Sequence, residues 1–174
     1  MQTFVALLRG INVTGSGLLR MTELAALCVE AGFQNVRTYI QSGNVIFAST
    51  LSEGRVQATL QEALAIKMGK PIAVFVRTPA EMLAILQANP FPECEPAKVA
   101  VMFLYSAPPA DLLIKTVAPG GEQVQSGKRE IYVFYPDGMG RSKLKLPVPA
   151  SATTVRNINT IARLVGLAAP PVIQ

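Results

Sequence analysis

Three stretches of the chain set glycines or amides beside cations, the combination a protein uses to hold an anion. The first is GINVTGSG (Gly10 to Gly17), flanked by Arg9 and Arg20, with the G-x-x-x-x-G spacing of a phosphate cradle. Ser16 and Gly17 stand where a P-loop needs Lys-Ser or Lys-Thr, so the β and γ phosphates would lack their main countercharge. What stays open there is an ordinary flexible loop or a weaker anion site of backbone N–H groups. The second is GMGRSKLKLP (Gly138 to Pro147), in which Arg141, Ser142 and Lys143 offer donors suited to phosphate or carboxylate, or form a solvated basic turn. The third is TTVRNINT (Thr153 to Thr160), carrying Arg156, Asn157 and Asn159. Read as the first turn of a closing helix, it sets Arg156, Asn159, Thr160 and Arg163 on one face, where an arginine opposes the helix dipole and calls for an outside partner. That partner is an anionic ligand at the helix N-terminus or an acid from the other subdomain.

The chain of 174 residues has no histidine, which removes Ser-His-Asp and Cys-His nucleophiles and every His-containing zinc site. Two widely spaced cysteines, Cys28 and Cys94, form no metal pattern and read as reduced thiols of a cytoplasmic protein. No metal or cofactor is expected. All 11 acidic residues lie at or before Asp137, matched there by as many lysines and arginines. Arg141, Lys143, Lys145, Arg156 and Arg163 follow with no acid, so the formal net charge of +5 belongs to the tail. Such segregation favours an anionic partner, a small ligand or nucleic acid. A hydrophobic fraction of 50% excludes disorder, while the longest apolar runs fall far short of the roughly 18 residues of a membrane span. The start MQTFVALLRG lacks the basic n-region of a signal peptide.

The elements that must carry these motifs follow from periodicity. FVALLRGIN reads as a central strand, and Leu24, Leu27, Cys28 and Ala31 as a helix stopped by Gly32. Val36 to Gln41 pairs through Ser42-Gly43 with Asn44 to Ala48 as a hairpin. A two-residue turn places Arg37, Tyr39, Gln41 and Asn44 on one polar sheet face, left open for a ligand or a second subdomain, and Val36, Ile40, Val45 and Phe47 on the face under the helices. Val56, Leu60, Leu64 and Met68 mark a second helix ending at Gly69, before a strand from Pro71 to Arg77. The order β-α-β-β-α-β is that of a ferredoxin-like sandwich. RNA-recognition motifs share this order, but SGNVIF lacks their Arg/Lys-Gly-Phe/Tyr core.

After a connecting helix (Pro79 to Ala88) and the loop NPFPECEP, the pattern begins again: a strand from Lys98 to Tyr105, a helix from Pro109 to Val117, a hairpin from Glu122 to Gln125 and Glu130 to Tyr135, and a closing helix from Thr154 to Leu167. Gln-Ser-Gly recurs at both hairpins, at Gln41 to Gly43 and Gln125 to Gly127, which reads either as one repeated unit or as a common turn arising twice. The expected fold is α+β, with two ferredoxin-like subdomains at 1–78 and 98–174 joined by 79–97. Both carry antiparallel sheets with helices on one face, and the second lacks its final strand.

LLRGIN (Leu7 to Asn12), VRTYIQSGNVIF (Val36 to Phe47), NPF (Asn89 to Phe91), GRSKL (Gly140 to Leu144) and TTVRNINT together resemble a bacterial family, the domain of unknown function numbered sixteen ninety-seven. The resemblance implies a two-subdomain α+β protein with ferredoxin-like parts, and no activity. The matching motif positions are Arg9, Gly10, Asn12, Arg37, Tyr39, Gln41, Ser42, Gly43, Asn44, Arg141, Ser142, Lys143, Thr154, Arg156, Asn157, Asn159 and Thr160. Two departures stand out: Thr14 to Gly17 lacks the family's loop lysine, and Ile158 replaces an aromatic.

The functional expectation is a binding module in which Arg9, Asn12, Arg37, Arg141, Lys143 and Arg156 converge on a small anionic ligand or a nucleic-acid backbone, with Tyr39, Gln41, Ser42, Asn44, Ser142, Asn157 and Asn159 beside them. One rival is an enzyme acting on a phosphorylated or carboxylated molecule with Tyr39 or Lys143 as acid or base. Another is that the polar motifs are purely structural.

Overall fold

The computed structural model describes residues 1–13 and 17–170 and divides into two compact units, Met1–Met82 with Leu164–Gln174, and Leu83–Arg163. The first contains β1 (Gln2–Leu8), α1 (Met21–Glu30), β2 (Gln34–Tyr39), β3 (Asn44–Ser49), α2 (Glu53–Met68) and β4 (Val74–Arg77). Its sheet is antiparallel in the order β2-β3-β1-β4. Alternation along the strands sends Phe4, Ala6, Leu8, Val45, Phe47, Val74 and Val76 to one face, where they bury against Leu24 and Cys28 of α1 and Val56, Leu60 and Leu64 of α2. Each large side chain removed from water there contributes about 1.5–3 kcal/mol. Both helices end where the sequence places glycine: Gly32 has φ +89°, and Gly69, at +70°, caps α2 by donating to the Ala65 carbonyl.

The first hairpin turn is longer than expected. Tyr39 pairs with Asn44 and Arg37 with Ile46, so four residues, Ile40 to Gly43, connect the strands. The two-residue change in register preserves the faces of Arg37, Tyr39 and Asn44, but Gln41 and Ile40 leave the sheet for the turn. That second face is not the open polar surface expected. Val5, Leu7, Ile46 and Phe75 occupy its centre fully buried, with Asn44 and Arg77 buried among them by register, while Arg37 and Tyr39 lie on the edge strand β2.

The chain continues through α3 (Pro79–Gln87), which starts on a reciprocal cap: Thr78 N–H donates to Glu81 Oε2 at 2.8 Å and Glu81 N–H to Thr78 Oγ1 at 3.1 Å. The second unit contains β5 (Val99–Phe103), α4 (Leu112–Lys115), β6 (Gln123–Ser126), β7 (Glu130–Phe134) and β8 (Thr154–Asn157), followed by α5 (Ile158–Ala168), which runs on into the residues of the first unit. Its antiparallel order, β6-β7-β5-β8, repeats the first sheet strand for strand.

The closing strand expected to be missing is therefore present, and what the second unit lacks is the helix that would precede it. Pro147 and Pro149 forbid that helix. In its place Leu144, Leu146 and Val148 alternate along an extended segment and pack on Ala100, Leu104, Leu112, Ile131, Val133 and Tyr135. The predicted helix start at Thr154 is β8 because Thr153, Thr154 and Val155 are β-branched, and burial alternates, with Thr154 and Arg156 buried and Val155 and Asn157 half-buried. The buried stripe of α5 is Ile158, Ile161, Leu164 and Ala168, not Val155, Ile158, Ala162 and Val165.

A correspondence between the units lies in their fourth strands. Arg77 stands opposite Val5 in the first sheet and Arg156 opposite Val101 in the second, both buried. Each donates from Nη1 to the carbonyl of its preceding residue, Val76 and Val155, at 2.9 Å.

Candidate functional site

Asn12, in the loop after β1, adopts φ +55°, the left-handed region that asparagine tolerates better than most residues. Its Nδ2 donates to the carbonyls of Leu19 and Gln41, each at 2.7 Å, while its Oδ1 accepts from Leu19 N–H at 2.7 Å. All three bonds go to backbone, so this side chain ties the loop shut and fixes it to the β2–β3 turn. The middle of the expected phosphate cradle, Thr14 to Ser16, lies outside the described residues. Asn44 behaves similarly: fully buried, it donates to the Tyr39 carbonyl at 2.9 Å and to Ser42 Oγ at 3.0 Å. Gly43, at φ +86°, accepts from Leu8 N–H at its carbonyl at 2.9 Å and lets Ile11 approach. Asn12, Ser42 and Asn44 thus serve the first unit's own backbone and turn. Of its other candidates, Arg9 and Tyr39 are half-buried, Gln41 is exposed in the turn, and Arg37 is exposed on the edge strand β2. Arg37 lines a groove of about 1080 Å³ with Thr3, Ala48 and the final residues of α5.

In the second unit Arg156 corrects the sequence reading most sharply. It lies on a sheet rather than on a solvent-facing helix, donates to Thr154 Oγ1 at 2.8 Å, and burial lowers its pKa to about 10. It remains a cation at neutral pH but is directed into the fold. Asn157 is a helix cap: its Oδ1 accepts from Asn159 N–H at 2.8 Å, and its Nδ2 donates to the carbonyls of Ala97 at 2.9 Å and Pro96 at 3.3 Å. Asn159 is exposed on the first turn of α5.

The motif left for ligand chemistry is Arg141-Ser142-Lys143. With Gly120, Glu122, Tyr135, Asp137 and Gly138 it lines a cavity of about 180 Å³ within the second unit. Gly138, at φ +83°, turns the chain there, and a single 3-10 turn, Met139–Arg141, presents the motif. Ser142 Oγ donates to Glu122 Oε1 at 2.8 Å, and Gly120 N–H donates to Glu122 Oε2 at 2.9 Å. The hydroxyl expected for a ligand therefore orients an internal carboxylate. Its hydrogen bond, with those of the backbone, holds the Glu122 carboxyl below the usual range. Tyr135, buried in the wall, has its pKa pushed up by burial and by Glu122, and stays a neutral phenol.

Glu122 and Asp137 were missed by sequence reasoning; their signal was proximity to the glycines at 120, 121 and 138 rather than to a basic run. Arg141, Lys143 and Asp137 are exposed, and among the described residues neither cation forms an ion pair with either carboxylate. Another groove, about 550 Å³ between α1 and α2, is rimmed by Glu23, Glu30 and Glu62 with Lys67 as the cation in its lining, which suits no anion. Among the described residues no cluster of Cys, Asp and Glu could hold a metal, and no helix is long and apolar enough to cross a membrane.

A family model described as a protein of unknown function (DUF1697) matches residues 1–132, so the GRSKL and TTVRNINT motifs lie beyond the matched region. The solved structure of conserved bacterial protein SP0830 from Streptococcus pneumoniae is similar to this one, with a TM-score of 0.77 and 22% identity, covering 96% of this chain and 98% of that one. At that identity the likeness shows the fold. No curated protein matches the sequence.

Proposed function

Since the chain belongs to the DUF1697 family, which brings no activity with it, we propose a function on chemical grounds: the protein is a non-enzymatic binding module that takes a small anion into the second unit's cavity, on Arg141 and Lys143. We read its two sheet-bearing segments, 1–78 and 98–174 joined by 79–97, as ferredoxin-like subdomains in a cytoplasmic protein. The observation that carries the reading is that Arg141 and Lys143 line one cavity, exposed and without an ion pair among the described residues. A guanidinium offers a fixed fork of donors and an ammonium a compact charge, a pair suited to carboxylate or phosphate.

Size and charge favour a small ligand over nucleic acid. About 180 Å³ lies below the 300–1,000 Å³ typical of drug-sized pockets. Glu122 and Asp137, which line the same cavity, would repel a polyphosphate backbone.

The test is the thermal midpoint of the full chain with propionate or inorganic phosphate. A ligand at about 100 times its Kd stabilises by about 2.7 kcal/mol, a rise of roughly 5–10 °C for a chain of this length. The double substitution Arg141→Ala, Lys143→Ala should remove the rise and leave the ligand-free midpoint within about 2 °C. A shift that survives it would overturn the assignment. Salt-sensitive binding of a single-stranded oligonucleotide, lost in the same variant, would replace the small anion with nucleic acid.

A further inference from the structure

The cavity that the proposed function assigns to an anion also holds two carboxylates, and this deepening rests on that reading. Glu122 is oriented by Ser142 Oγ at 2.8 Å and Gly120 N–H at 2.9 Å, one bond to each oxygen. A carboxylate accepts at about four positions, so roughly two are left. Asp137 lines the same cavity, and neither acid forms an ion pair with Arg141 or Lys143 among the described residues. A site for a simple anion would gain nothing from two carboxylates beside its cations, since like charge weakens binding. A site for a molecule bearing both charges needs both sets.

We propose that the ligand is a small zwitterion, its carboxylate or phosphate held by Arg141 and Lys143 and its primary ammonium by Glu122 and Asp137. The ammonium supplies three donors and no acceptor, matching the lone pairs that Glu122 has left. Gly120 sets the geometry: a Cβ there would come within 2.8 Å of Glu122 Oε1 and displace the carboxylate. The volume of about 180 Å³ restricts the class to compact molecules such as amino acids or aminoalkyl phosphates.

Calorimetric titration of the full chain with L-alanine and O-phosphoethanolamine, against propionate, ethyl phosphate and ethylamine, tests this. The zwitterions should bind at least about tenfold more tightly than the matched anions. Glu122→Gln, whose amide oxygen still accepts from Gly120 N–H while its NH2 donates to Ser142 Oγ, should erase that preference and spare the anions. Asp137→Asn, at an exposed position, gives the same reading without disturbing Glu122, and should narrow the preference. Equal binding of anions and zwitterions would overturn the zwitterion while leaving the anion site standing. Binding of ethylamine alone, or of none of the five, would overturn both. A preference unchanged in both variants would overturn the role of the two carboxylates.

Discussion

A methyl group added at Gly43 would lie 2.6 Å from Ile11 Cδ1 and 2.9 Å from Leu8 Cβ, on a backbone at φ +86°. Steric overlap and left-handed strain act together there, so Gly43→Ala should lower stability by about 1–3 kcal/mol in urea unfolding, with the slope unchanged. The two cysteines separate by burial. Cys28 packs in the first core and burial pushes its thiol up to about 12, whereas Cys94 is partly exposed. At pH 8 one thiol, Cys94, should react with a thiol reagent in the native protein and two after denaturation; rapid native reaction of Cys28 would contradict the packing. Residue chemistry alone was a poor guide to the site. Asn12, Ser42, Asn44 and Asn157 have the donors and acceptors of ligand-binding residues, but Asn12, Asn44 and Asn157 bond to backbone groups and Ser42 accepts from Asn44. Nothing local in a sequence tells a donor aimed at a ligand from one that closes a loop.

At the scale of elements, the helices were the legible part. α1 and α2 begin and end within a few residues of where apolar periodicity and the terminal glycines place them. The segment from Thr153 to Ala168 was not, because Ile158 onward is helical in pattern and the β-branched run before it was absorbed into the same helix. Asn157 divides the two, capping α5 and pinning the 3-10 turn before β5 through Pro96 and Ala97. Asn157→Ala should therefore cost about 1–2 kcal/mol, and Asn157→Asp, which keeps the cap but loses the Nδ2 donors, a smaller amount in the same denaturation assay. The repeated Gln-Ser-Gly is instructive in a different way. In the first hairpin it lies within the turn; in the second, Gln125 and Ser126 are still in β6 and the tip is Lys128-Arg129. The shared tripeptide is a coincidence of turn chemistry, although the unit it pointed to does recur.

Across the whole molecule the recurrence is in topology rather than in letters. Both sheets have one strand order, and both carry a buried arginine at the same register of the fourth strand. That order follows from long-range pairings, which a single sequence states only through its alternation. The basic tail was visible from composition, but its five cations do not form one site: Arg156 is buried in β8, Arg163 is exposed on α5, Lys145 is exposed opposite Val117, and Arg141 with Lys143 borders the small cavity. Net charge described a partner class, while burial decided which cations could meet it.

The most direct test of this account is a two-dimensional amide NMR titration of the full chain with L-alanine and with propionate. The account predicts saturable shifts centred on Gly120, Glu122 and the segment from Gly138 to Lys143, reduced in the Arg141→Ala, Lys143→Ala variant. Shifts centred instead on Arg37 and the end of α5, or no shifts with either compound, would contradict it.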